Sequence, residues 1–97
     1  MIAKELPVPE TADVPGSQEV LRAFIVNGGL QVGMIRAFDK PEIWGLLLVD
    51  IARHAARIIA TEDKIGEAQV LSKICDMFDA EMARPTDLGT THVERKN

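Results

Sequence analysis

Thiol chemistry has little material in this chain, because Cys75 is the only cysteine among 97 residues. An intramolecular disulfide is therefore impossible, and a reducing compartment, the cytoplasm, is the simpler expectation. An excess of basic charge is missing too. The formal charge is −4 and the pI about 5.1, which argues against the basic, phosphate-contacting face that nucleic-acid binding needs. The opening residues hold one lysine and no apolar segment leading to a cleavage site, so no secretion signal is expected. The apolar run from Ile43 to Val49 falls far short of the roughly 20 residues a membrane span requires. Asp50, Arg53 and Arg57 follow it at once, so no membrane is expected as a partner. Internal repeats and low-complexity tracts are also missing, and the length suits one domain with a modest core.

What is present is organised around residues 39–61, which read as one long helix. Asp39 stands three residues before Glu42, the spacing of a capping box, and Pro41 fits the first turn, where its missing N–H is no loss. Asp50, Arg53, His54 and Arg57 recur at helical spacing and form one polar stripe. Nearly everything else in the helix is apolar, an arc wide enough to touch a sheet and a second helix. Gly45 costs about 1 kcal/mol of helix propensity, which suggests a close backbone approach at that point.

Before the helix, Glu19 to Val26 and Leu30 to Arg36 read as two strands around Asn27-Gly28-Gly29, a strong hairpin signal. The loop is either Asn27-Gly28 or Gly28-Gly29, and both give the same faces. One face carries Leu21, Ala23, Ile25, Leu30, Val32 and Met34, ready for helices to cover. The other carries Val20, Phe24, Val26 and Ile35 around Arg22 and Gln31, too apolar for a solvent face. Either the N-terminal arm covers it or a second subunit does. A two-stranded sheet is marginal alone, so a homodimer is expected, with Val20, Phe24, Val26 and Ile35 in or near its contact.

After the first helix, Thr61 to Gly66 reads as a break, with Thr61 or Asp63 as the next cap. Glu67 to Ala83 reads as the second helix, antiparallel to the first, with Cys75 buried in its apolar stripe. Pro85 ends it. The organisation expected is an extended arm over residues 1–18, a single α+β domain over 19–87 and a flexible tail over 88–97. The fold class is a two-layer α+β sandwich of order ββαα, an antiparallel hairpin packed against two helices.

No motif identifies a reaction, and no cofactor is expected. The polar cluster on a rigid element is Asp50, Arg53, His54 and Arg57. Asp50 and His54, four apart, could act as a base and its orienter, the weak catalytic candidates. Arg53 and Arg57, with Trp44 nearby in sequence, are weak candidates for holding a small anion. The plain alternative is a solvated stripe of ion pairs worth a few tenths of a kcal/mol each. A metal would need a further ligand, and none is expected. Asn27-Gly28-Gly29 joins two strands with no following Lys-Ser/Thr, so it is a turn and not a phosphate loop.

The block WGLLLVDIARHAARII, followed by FDAEMARPTD, resembles a small bacterial protein family of unknown function. Its members carry a strand pair with a Gly-Gly turn, a W-G-x-L-L-x-D-x-A-R-H-like helix and an F-x-x-E-x-x-x-P-T-D-like ending. The resemblance runs from about Leu6 to Asp87, on Trp44, Gly45, Asp50, Arg53, His54, Phe78, Glu81 and Pro85-Thr86-Asp87. It implies an intact single domain, a role for the Asp50–His54 stretch and an ordered cap at Pro85-Thr86-Asp87 near the first helix. It implies no activity. Two functions therefore stand: a self-associating structural or interaction protein, and a small-ligand-binding or enzymatic domain using the polar stripe.

Overall fold

The computed structural model describes residues 3–86 and the backbone of residues 90–94. Asn27 and Gly28 both take positive φ, 52° and 81°. That is the type I′ geometry whose twist matches its flanking strands, so the loop is Asn27-Gly28. It joins β1 (Leu21–Val26) to β2 (Gly29–Ile35), antiparallel, with Val26 opposite Gly29, Phe24 opposite Gln31 and Arg22 opposite Gly33. Beyond the last pair, the Ile35 N–H donates to the Val20 carbonyl at 3.2 Å. Both faces therefore hold the residues expected of them.

The helices follow. α1 (Pro41–Asp63) begins with Pro at its first position and Lys40 before it. The expected Asp39 capping box does not form: no side chain caps this end. Asp39 instead offers its carbonyl to an Arg36 guanidinium N–H at 3.3 Å. The helix also runs through Thr61 and Asp63, neither of which caps α2. It stops at Lys64, which takes the left-handed conformation (φ 56°, ψ 48°). The Ile65 N–H then closes back on the Ala60 carbonyl at 3.1 Å, the longer bond of a Schellman ending. After that tight turn α2 (Glu67–Ala83) runs back along α1.

The chain is thus an α+β fold of order ββαα, with a hairpin beside a helix pair. A third strand is added: β3 (Thr90–Glu94) pairs parallel to β2, giving the sheet order β1-β2-β3. The closing residues were read as a flexible tail, and part of them instead makes β2 the central strand. A parallel partner needs a long crossover, and here the two helices supply it.

Little of this surface is buried. Among the described residues only Ile35, Ala56 and Val70 are buried. Ala56 and Val70 mark the seam between α1 and α2, flanked by half-buried Ala52, Ala60 and Ile74. Strands approach strands and helix approaches helix, but among the described residues no strand and helix bring Cα atoms within 8 Å. The radius of gyration is 15.4 Å, against roughly 12.5 Å for a compact domain of this length. The accessible surface is 8826 Å², against roughly 5,500 Å² for a folded monomer of this mass.

Candidate functional site

α1 repeats every 3.6 residues, so positions 54, 57, 58, 61 and 62 fall on one side. Those residues, His54, Arg57, Ile58, Thr61 and Glu62, line a shallow hollow of about 260 Å³. An imidazole, a guanidinium, a hydroxyl, the branched aliphatic side chain of Ile58 and one carboxylate are brought together there. Arg57 also approaches Glu67 of α2 at 3.8 Å, both half-exposed. That pair is screened by water and is worth a few tenths of a kcal/mol.

The stripe expected from sequence divides at this point. His54 and Arg57 share the hollow, while Asp50 and Arg53 lie outside its lining. No hydrogen bond joins Asp50 to His54 among the described residues, so the base-and-orienter pair is not made. Trp44 is ten residues upstream, roughly 15 Å along the helix axis. It packs edge-on against Phe38, with centroids 5.0 Å apart and planes at 68°, and so anchors the entry to α1. No cluster of three His, Cys, Asp or Glu residues able to hold a metal occurs among the described residues. Cys75 is exposed, not buried as expected. Ile58, Thr61 and Glu62 were missed by the sequence reading. Their signal is helical spacing from His54, at four, seven and eight residues.

The second hairpin face is partly shielded within the chain. Arg22 donates to Glu5 of the N-terminal arm, pairs with Glu19 at 3.1 Å and lies 5.6 Å from the Phe24 ring centroid. The hydrogen bond to Glu5, then the nearby Glu19 charge, push the Arg22 guanidinium above its ordinary value. Any stability this adds is present below the ordinary arginine value and is lost only as pH rises through the raised one, so it is constant across the physiological range. Of the residues expected at an interface, Ile35 is buried, Val20 and Phe24 are half-buried and Val26 is exposed. The arm is not simply extended: it holds a 3₁₀ turn (Glu10–Ala12), then a Val14–Ser17 turn with Gly16 at φ 89°. Arm and β1 enclose an open concavity of about 560 Å³.

The Pro85-Thr86 ending acquires a structural reason. Glu81 accepts the Thr86 backbone N–H at 2.9 Å and its hydroxyl at 3.1 and 3.3 Å. A carboxylate in the last turn of the helix thus ties down the chain that Pro85 diverts. The tie is to α2 itself, and Asp87 lies outside the described residues.

Gly45 needs no close approach, since a Cβ there would meet nothing within 4 Å. Gly33 faces open space as well, opposite Arg22 on β1.

Fold and site together define a small α+β domain with a surface hollow on its longer helix. The chain belongs to a family described as a domain of unknown function, DUF5076, which it matches over residues 5–86. Among solved structures it is similar to a protein from the photosynthetic bacterium Rhodopseudomonas palustrus CGA009, provisionally named a pyruvate dehydrogenase. The two are 50% identical, with a TM-score of 0.76 over 98% of this chain and 97% of that one. No curated protein matches the chain. None of the helices among the described residues is long and apolar enough to cross a membrane.

Proposed function

We propose that the chain is a ligand-handling domain that takes a small monocarboxylate of the 2-oxo acid kind at the hollow on α1. The observation that carries this reading is the convergence of His54 and Arg57 on one hollow. The name of the half-identical relative supports it, since pyruvate is such an acid. In this reading Arg57 pairs with the carboxylate, His54 donates to a ligand oxygen, and Ile58 faces an apolar end. Glu62 in the lining disfavours a second negative charge. The hollow is open to water, so binding in the millimolar range is expected from so few screened contacts. Pyruvate and acetate, with glycerol as an uncharged control, can be titrated into isotope-labelled protein while the His54 imidazole and Thr61 amide are followed by NMR. Saturable carboxylate shifts, lost in Arg57→Gln, are expected; shifts that persist unchanged in that variant end the reading.

A second reading, a self-associating structural or interaction protein, rests on a separate observation. The chain leaves about 3,300 Å² more surface open than a folded monomer of its mass. Sedimentation across a concentration series reads this directly, and a monomer throughout would remove it.

A further inference from the structure

With the sheet order β1-β2-β3, β1 is an outer strand and has a strand partner on one side only. The Ile35 N–H donates to the Val20 carbonyl, and backbone groups alternate in direction along an antiparallel strand. Val20, Arg22, Phe24 and Val26 therefore turn their N–H and C=O groups toward β2, and Leu21, Ala23 and Ile25 turn theirs away from it. Among the described residues nothing bonds to those outward groups. The N-terminal arm stands off this edge: Glu5 meets the Arg22 side chain, but no backbone bond joins arm to strand. The open concavity of about 560 Å³ runs between the two, past residues 21–24. Unpaired backbone along an outer strand is a template for one more strand.

We infer that the added strand is β1 of a second copy, running antiparallel about a two-fold axis at Ala23 and joining the two sheets into one. This edge contact rests on the self-association reading and gives it a geometry. Outward groups must meet outward groups, so among close registers the axis falls at Arg22, Ala23 or Phe24. At Arg22 the two guanidinium groups stand directly opposite each other, and like charges so placed destabilise a strand pair. At Phe24 the apolar Leu21 meets the partner's Asn27 in the turn. At Ala23 the residues match: Val20 meets the partner's Val26, Leu21 the partner's Ile25, and Arg22 the partner's Phe24. Ile25, 74% exposed, and Val26, 48% exposed, gain cover on that register. The Arg22 guanidinium lies 5.6 Å from its own Phe24 ring centroid and gains a second ring. Its charge is answered within the chain by Glu5 and Glu19. A neighbouring strand sits about 4.8 Å from its partner, and the arm, whose described bond to β1 is the water-exposed Glu5–Arg22 pair, gives way to it. A strand that is complementary to itself under two-fold symmetry makes a second copy the occupant. The surplus of about 3,300 Å² of open surface per chain points the same way.

The test is amide hydrogen exchange on the full chain at several protein concentrations, run beside sedimentation equilibrium. In the wild-type dimer the Ala23 amide is expected to be protected along with those of Arg22 and Phe24, and to lose that protection only as the mass falls to one chain. Ala23→Lys and Ala23→Glu each set like charges across the two-fold axis, and each is expected to raise the dimer Kd about fivefold. An equal mixture of the two restores association, because unlike charges then meet at the axis. A wild-type monomer at all concentrations overturns both the edge contact and the self-association reading. A wild-type dimer whose Ala23 amide exchanges freely, or stays protected after dissociation, overturns the edge contact alone. A mixture of folded variants that associates no better than its components does the same. The exchange readout on the wild type needs no substitution, so it decides the matter even where a variant fails to fold.

Discussion

Replacing Val70 by Ala is the sharpest probe of how α1 and α2 hold together. Val70 on α2 is 5% exposed, and Ala56 on α1 is fully buried. The substitution removes two buried carbons, about 1.6 kcal/mol at 0.8 kcal/mol each. The gap left behind adds to that, because an alanine-lined seam between two helices has few side chains able to collapse into it. A loss of about 2–3 kcal/mol is expected, which for a domain of this size lowers Tm by roughly 10–20 °C. Urea unfolding followed by circular dichroism, at one fixed protein concentration, measures it. The m-value should stay constant, since the surface exposed on unfolding hardly changes. A change below about 0.5 kcal/mol, the range of ordinary surface substitutions, would refute the claim that this seam is built on Val70.

Other substitutions test single features of the chain. Gly45→Ala should stabilise the protein by about 0.5–1 kcal/mol, because a methyl there meets open space and the helix gains propensity; a destabilised variant in thermal unfolding would reveal a close contact at that position. Lys64→Gly should stabilise by about 1 kcal/mol, since Lys64 sits in the left-handed region that glycine enters freely. Glu81→Gln should cost about 0.5–1.5 kcal/mol by weakening both bonds to Thr86. Amide hydrogen exchange at Thr86 should speed up in that variant and stay at its wild-type rate in Glu62→Gln.

Local chemistry made much of the fold legible in the sequence. Asn27-Gly28-Gly29 announced the hairpin, and either loop preserved the division of Leu21, Ala23 and Ile25 from Val20, Arg22 and Phe24. The bounds of α2 were readable because Pro85 and the stripe from Val70 to Met82 frame it. The start of α1 was misread: Asp39 and Glu42 have capping-box spacing, yet the fixed φ of Pro41 begins the helix and no side chain caps it. Its end was misread for a related reason. Thr61 and Asp63 have the chemistry of a cap for the next helix, whereas α1 runs through both and Lys64 carries the left-handed turn. β3 was invisible because its pairing with β2 depends on residues about 60 positions apart, and five residues carry too little pattern to announce a strand. At the candidate site, four residues at helical spacing were grouped as one stripe. Asp50 keeps nearly the same side as His54 but lies one turn nearer the helix start, about 6 Å along the axis, and Arg53 is turned about 100° from His54, so of the four only His54 and Arg57 line the hollow.

Small-angle X-ray scattering with absolute mass calibration tests most directly whether the chain's surplus of open surface is covered by a second copy. At tens of micromolar the account predicts the mass of two chains, falling toward one on dilution. A wild-type mass of one chain at every concentration, with a radius of gyration near 12.5 Å as for a hairpin closed over its own helices, would contradict it.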